Sequence, residues 1–145
     1  VSDEQPSTAV LMFIAHRATE HRVMQRIAEV GAGDITLAQA RLLQRLAPEP
    51  MRLTDLADQA GVTKQTAGGL VDQLEAAGYL RRVPDPSDGR ARLVTLSDYA
   101  VELCEVAARE VEVIESEWRE YLGDKQFDAM RAALIALREV TDPYR

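Results

Sequence analysis

The chain is poor in several things on which other protein classes depend. It has one cysteine, Cys104, in 145 residues, which excludes an internal disulfide framework and suits a reducing compartment. Aromatic residues make up only 5%, so Leu, Val and Ala must fill the core, a composition that leans helical. No apolar run approaches the roughly 18 residues of a membrane span. The opening VSDEQPST is acidic and polar, without the basic and then apolar regions of a secretory signal. No membrane association is expected, and a cytoplasmic location is. There is no glycine-rich phosphate loop, no nucleophile elbow and no Cys/His/Glu cluster at metal spacing. His16 and His21 are five apart and share no helix face well. An enzyme is therefore not expected, and no cofactor or metal is implied. Basic residues are also scarce, 17 against 24 acidic ones for a net charge of −7, which argues weakly against a nucleic-acid partner.

That charge is unevenly spread. Residues 1–50 carry five basic and six acidic side chains, residues 51–96 six of each, and residues 97–145 six basic and twelve acidic. The middle segment is thus neutral, and its bases cluster. A chain of this length buries roughly 70% of its unfolded surface without staples, so one domain is expected over 1–145.

Apolar spacing predicts a helix over 7–30, capped by Ser7 or Thr8 and ended by Gly31-Ala32-Gly33. A second runs over about 36–46 from Thr36 until Pro48-Glu49-Pro50 stops it. Thr54 is the expected N-cap of a short third helix. Gly61 supplies the positive φ of a tight turn, and Thr63 caps a fourth helix over 63–77, closed by Gly78. Two short helices joined by such a turn form a helix-turn-helix. Tyr79–Val83 and Arg92–Leu96 then read as strands around the turn-rich Pro84–Gly89. Ser97 caps a long helix over about 98–122, in which Cys104, Val111 and Trp118 repeat every seven residues, as do Ala107, Ile114 and Tyr121. Gly123 breaks it, and Asp124 starts a last helix. The fold class expected is mainly α with a small β-hairpin (α+β).

The hairpin region Arg81–Leu96 holds four arginines in sixteen residues. A helix-turn-helix followed at once by an arginine-bearing hairpin is a winged helix. Its second helix suits the DNA major groove, where base edges are distinguishable. Its hairpin suits the flanking minor groove, which is narrow and negative over A·T tracts. Double-stranded DNA is therefore the expected partner. Thr63, Lys64, Gln65 and Thr66 lie in the first turn of the recognition helix, and a helical wheel places Gln65, Gly68, Gly69 and Asp72 opposite Leu70 and Leu74. Adjacent glycines inside a helix each cost about 1 kcal/mol relative to alanine, so Gly68 and Gly69 suggest close backbone approach to DNA. Arg82 and Arg92, bordering the hairpin with Arg81, are candidates for phosphate contact or for salt bridges, as is Arg52. Asp72 is expected to pair with a base or stay solvated.

The segment LADQAGVTKQTAGGLVDQLEAAGYLRRVPDPSDGRARLVTLS resembles the core of the MarR (multiple antibiotic resistance regulator) family. The matching pieces are Leu74-Glu75-Ala76-Ala77-Gly78-Tyr79-Leu80, Arg82, Asp85-Pro86-Ser87-Asp88-Gly89-Arg90 and Val94-Thr95-Leu96-Ser97. The resemblance implies a cytoplasmic winged-helix regulator, most simply a repressor, with residues 36–96 as the DNA-binding part. It makes Arg90 the wing-tip arginine of the minor groove and Asp88 an acid that pairs with an arginine and shapes the wing. Gly89 stands where the family often has a basic residue, giving up a charge for flexibility. The family often binds small aromatic or anionic effectors, for which Arg17, His21 and Arg41 are candidates. Some relatives sense oxidants through cysteine, but Cys104 lies on the heptad seam and reads as buried.

The terminal helices, about 7–31 and 98–141, carry Val111, Ile114, Trp118, Tyr121, Phe127, Met130, Leu134 and Leu137. That is more apolar surface than two helices on a small domain can hide, so homodimerisation is expected, with a two-fold axis that matches palindromic DNA. The competing reading is a winged helix used only for protein interaction.

Overall fold

The computed structural model describes residues 4–46 and 49–144. Its helices are α1 (Thr8–Ile27), α2 (Leu37–Leu43), α3 (Leu53–Ala60), α4 (Lys64–Ala76), α5 (Asp98–Leu122) and α6 (Asp124–Thr141). Strands β1 (Leu80–Asp85) and β2 (Asp88–Leu96) lie between α4 and α5. The chain is mostly helical with a two-stranded antiparallel hairpin, as its composition implied. It divides into two compact units, Asp34–Val106 and Val1–Gly33 with Ala107–Arg145.

In the unit Asp34–Val106, α2, α3 and α4 pack on one another and bury Leu42, Leu56, Val71 and Leu74 completely. Thr36 and Gln39 form a capping box at the start of α2, which leaves two fewer amides unsatisfied. The helix then ends sooner than expected. The amides of Arg45 and Leu46 reach back only three residues, to Leu42 and Leu43, a tightening typical of a helix end. Pro48, the predicted stop, lies outside the described residues.

Gly61 adopts φ +68°, which lets its amide close on Asp58 and the amide of Val62 on Ala57. The chain is then free to restart at Thr63, whose hydroxyl accepts from the amide of Thr66 at 3.1 Å. Gly78 closes α4 in the left-handed region. The hairpin pairs Leu80 with Leu96 through to Pro84 with Arg92, and an irregularity follows between Pro84 and Asp85. Both strands are longer than predicted and consume most of the expected loop, leaving Pro86 and Ser87 as the tip. Pro84 is tolerated because β1, in which it lies, is an edge strand.

One pairing was not anticipated. Met51 and Val94 exchange both backbone hydrogen bonds, at 2.9 and 2.7 Å. The segment before α3 is thereby a one-residue third strand, and α3 starts from Arg52 rather than from the predicted cap Thr54.

In the other unit, the regular part of α1 ends at Ile27 and passes into a π-helical turn, Ala28–Ala32. Arg22 pairs with Glu110 at 3.2 Å and with Glu117. The Glu117 carboxyl is held below its usual range, chiefly by that hydrogen bond. Arg119 pairs with Asp124 and Asp128 and lies over the Phe127 ring, 4.3 Å from its centroid. Only Glu20, Val23 and Ile27 of α1 are buried, whereas the run Val10–Ile14 is exposed, Phe13 by 53%. Among the described residues no helix is long and apolar enough to cross a membrane, and no group of His, Cys, Asp and Glu is placed to hold a metal.

Candidate nucleic-acid interface

The polar edge of α4 follows from its burial pattern. Ala67, Val71 and Leu74 are fully buried, which turns Thr63, Lys64, Gln65, Thr66, Gly69 and Asp72 outward. Four of these are the predicted first-turn residues. Thr63 and Thr66 bond to each other as the cap, leaving Lys64 and Gln65 as the longer exposed side chains of that turn.

The two glycines behave differently. A Cβ added at Gly69 meets nothing within 4 Å, whereas at Gly68 it would touch Leu53 Cδ2 of α3 at 3.8 Å. Gly68 is therefore half-buried against α3 rather than on the open face where the helical wheel placed it. The wheel omits the neighbouring helix, and that is the origin of the error.

Arg90, Arg92 and Arg81 are exposed on the hairpin, and none of them ion-pairs among the described residues. Arg92 lies opposite Pro84, and Arg82 opposite Val94, on the same face of the ladder. That face borders a cleft of about 580 Å³ lined by Leu53, Glu75, Arg82, Arg92 and Val94. Arg82 is committed elsewhere. Its Nη2 donates to Asp72 Oδ1 at 2.6 Å, and its Nε lies 3.8 Å from Glu75 Oε2. It ties the wing to α4, the salt-bridge alternative of the two left open for it, and this pair accounts for Asp72.

The wing-shaping acid is also reassigned. Asp88 is exposed and accepts from the amide of Arg90 at 3.0 Å, which orders the backbone locally. The acid that pairs with an arginine is Asp85, with only 5% of its side chain exposed. Its Oδ1 accepts from the amide and hydroxyl of Ser87 at 2.9 and 2.7 Å, and its Oδ2 accepts from Arg52 Nη2 at 3.0 Å. The Ser87 hydrogen bonds, with Arg52 behind them, hold this carboxyl below its ordinary range. Gly89 has no positive φ and open space around it, so the wing's shape does not depend on it. Of the two roles the sequence left open for Arg52, the structure shows the salt bridge, and its partner Asp85, which stood in the sequence without a site role, is brought to it by the Met51–Val94 pairing.

At the base of the hairpin, Tyr79 is buried, stacks on Tyr99 at 5.5 Å between centroids, and donates to Asp34 Oδ1 at 2.9 Å. Burial, and then Asp34, push its phenol well above the usual range. Ser97 Oγ donates to the Gly78 carbonyl at 2.7 Å and caps α5 by accepting from Ala100. Two of the proposed dimer residues, Ile114 and Phe127, are buried inside the chain at 2% and 4% exposure. They are therefore core residues. Val111 and Trp118 are half-buried, and Met130, Leu134 and Leu137 are exposed. Of the effector candidates, Arg17 and His21 lie exposed on α1, with Arg17 over the Phe13 ring. Arg41 is on α2 in the other unit. Burial raises the Cys104 thiol, which disfavours the reactive thiolate.

Comparison with known proteins points the same way. A model of the MarR family matches residues 33–91, from just before α2 into the wing. The transcriptional activatory protein BadR of Rhodopseudomonas palustris is 33% identical over 92 residues, which are 63% of this chain and 51% of BadR. The chain thus spans about half the length of that curated relative. The crystal structure of transcriptional regulator Tm0710 from Thermotoga maritima is 31% identical, covers 96% of each chain and superposes with a TM-score of 0.66. NadR, in complex with 4-hydroxyphenylacetate, is alike in fold at 23% identity, covering 97% of this chain and 98% of its own with a TM-score of 0.69. The helix-turn-helix, its arginine wing and these likenesses lead to one conclusion: the chain belongs to the MarR family of winged-helix transcriptional regulators.

Proposed function

We propose that this regulator acts in the cytoplasm as a homodimeric, sequence-specific DNA-binding repressor. It binds a pseudo-palindrome with half-sites about one helical turn apart. The observation that carries the reading is the exposed first turn of α4 together with exposed Arg90 and Arg92 of the wing, which are free of carboxylate partners among the described residues. Lys64 and Gln65 suit base edges or phosphate in the major groove, and Arg90 suits the minor groove.

The exposed apolar residues of α1 and α6, Phe13, Ile14, Leu134 and Leu137 among them, support a dimer through the terminal helices, with residues 36–96 as the DNA-binding part. A small aromatic or anionic effector would bind one conformation better and shift the population between them. The support is that NadR, alike in fold, is seen with 4-hydroxyphenylacetate. BadR is described as an activatory protein, so the sign of regulation needs its own experiment, transcription in vitro from the bound promoter.

The test of DNA binding is selection from random duplexes, followed by fluorescence anisotropy at several salt concentrations against a scrambled duplex. A preference of about a thousandfold or more with a steep salt dependence supports the proposal. Failure to select any sequence would point to a winged helix used for protein interaction instead.

A further inference from the structure

The wing tip is held by a set of contacts that reach outside the hairpin. Asp85 closes the tip on itself through Ser87, with both the amide and the hydroxyl on Oδ1. Its other oxygen is gripped by Arg52, the N-cap residue of α3. Arg52 is in turn fixed in place because its neighbour Met51 is bonded through both backbone groups to Val94 of β2. The hairpin is therefore tied at two points to the start of the helix-turn-helix, near its tip through Asp85 and nearer its base through Val94. Asp85 is almost fully buried, whereas about half of the Arg52 side chain is exposed.

We infer that Arg52 and Asp85 are positioning residues for DNA binding, a role that rests on the DNA-binding reading above. Their pair sets the attitude of the wing so that Arg90 is presented to the groove with the tip already ordered. Binding then does not have to order it. Fixing one residue's backbone costs about a factor of ten in an equilibrium constant, so a tip released from this anchor is expected to bind roughly tenfold more weakly.

The inference makes a prediction opposite in sign to simple electrostatics. Removing a carboxylate beside DNA should strengthen binding on charge alone. Here Asp85→Asn is expected to weaken it, because an amide cannot accept from both Ser87 and Arg52 with the same two oxygens.

The experiment uses the duplex selected by the unaltered protein. Asp85→Asn and Arg52→Ala are each expected to lose roughly tenfold in affinity. The double variant should lose no more than either alone, because both remove one anchor. The slope of affinity against salt should be unchanged, since neither side chain touches phosphate, and Arg52→Lys should recover part of the loss. The inference is overturned if Asp85→Asn binds as tightly as the unaltered chain or tighter. It is also overturned if Arg52→Ala lowers the salt slope by about 0.9, the signature of one lost phosphate contact. If Asp85→Asn does not fold by circular dichroism, Arg52→Ala and Arg52→Lys carry the same test from an exposed position. If the unaltered protein selects no duplex, it is the DNA-binding reading that fails.

Discussion

Replacing the two adjacent glycines of α4 by alanine, one at a time, separates what the fold needs from what DNA needs. Neither glycine has a positive φ. An added Cβ meets open space at Gly69 and an ordinary contact with Leu53 at Gly68. Nothing inside the chain therefore requires glycine at either position, and each alanine should stabilise the helix by about 1 kcal/mol. For a chain of this size that is roughly 4 °C in Tm per substitution, measured at fixed protein concentration because the Tm of the proposed dimer would depend on it. Binding should split the pair. Gly68→Ala turns its methyl toward α3 and should leave operator affinity within about twofold, since a substitution that makes no contact with the partner changes little. Gly69 lies one turn beyond Gln65 on the outward edge, so its methyl would stand between the helix and the groove. Overpacking of that kind costs about 1–3 kcal/mol, or about tenfold in affinity at the middle of the range. The reasoning is refuted on the folding side if neither variant gains stability in thermal melts. It is refuted on the binding side if Gly69→Ala binds operator as well as the unaltered chain does in anisotropy titrations.

Other consequences are as direct. Arg90→Ala should weaken operator binding and lower the salt slope by about 0.9; Arg82→Ala should leave the slope unchanged and cost under about 1 kcal/mol in urea unfolding, as exposed ion pairs do. Tyr79 keeps its proton in the folded chain to higher pH than a free tyrosine does. Its share of stability is therefore complete below about pH 10, the ordinary tyrosine range, and is lost as pH rises beyond it. Tyr79→Phe should flatten that alkaline fall in a series of melts, and an unchanged profile would count against the burial of the phenol and its Asp34 hydrogen bond. Leu134→Glu with Leu137→Glu, at positions 44% and 42% exposed, should give a folded monomer by light scattering. Ile114→Ala should instead lower stability by about 2–5 kcal/mol, as for a buried core residue.

The parts of this fold that were legible in the sequence are those set by local chemistry. Gly61 and Thr63 announce the helix-turn-helix because a left-handed residue and a hydroxyl cap are needed within three positions of each other, whatever surrounds them. The wing was legible as a hairpin but not in its fastening. Asp85 and Asp88 are the same residue type in the same loop. Only the arrival of Arg52 from 33 positions away distinguishes them, and no periodicity records that meeting. The two heptad stripes of α5 differ in how far they are covered within the chain. An α-helix drifts by about 20° per heptad from a strict seven-residue repeat, so a seam read from spacing alone turns out of the interface unless a supercoil follows it. Ala107 is half-buried, Ile114 is buried and Tyr121 is 90% exposed, whereas Cys104, Val111 and Trp118 are all half-buried.

The same distinction bears on how an acidic chain can be proposed to bind DNA. Formal charge over residues 51–96 is zero, yet the side chains that make up that zero are not equivalent. Arg82 is matched to Asp72 and Glu75, and Arg52 to Asp85. Pairing removes those acids from the edge as effective charges, and burial removes Asp85 a second time. Lys64, Arg81, Arg90 and Arg92 remain exposed, alongside Asp55, Asp58 and Asp88. At physiological salt an exposed charge acts over about 8 Å, so the potential at one edge depends on the pairing within that edge far more than on the net charge of the chain. Two of the six bases in this segment, Arg82 and Arg52, tie the wing to the recognition helix and to the start of α3, and the acids they meet are Asp72, Glu75 and Asp85. Counting charges treats those acids as a cost to binding, whereas the structure uses them to hold the surface in shape.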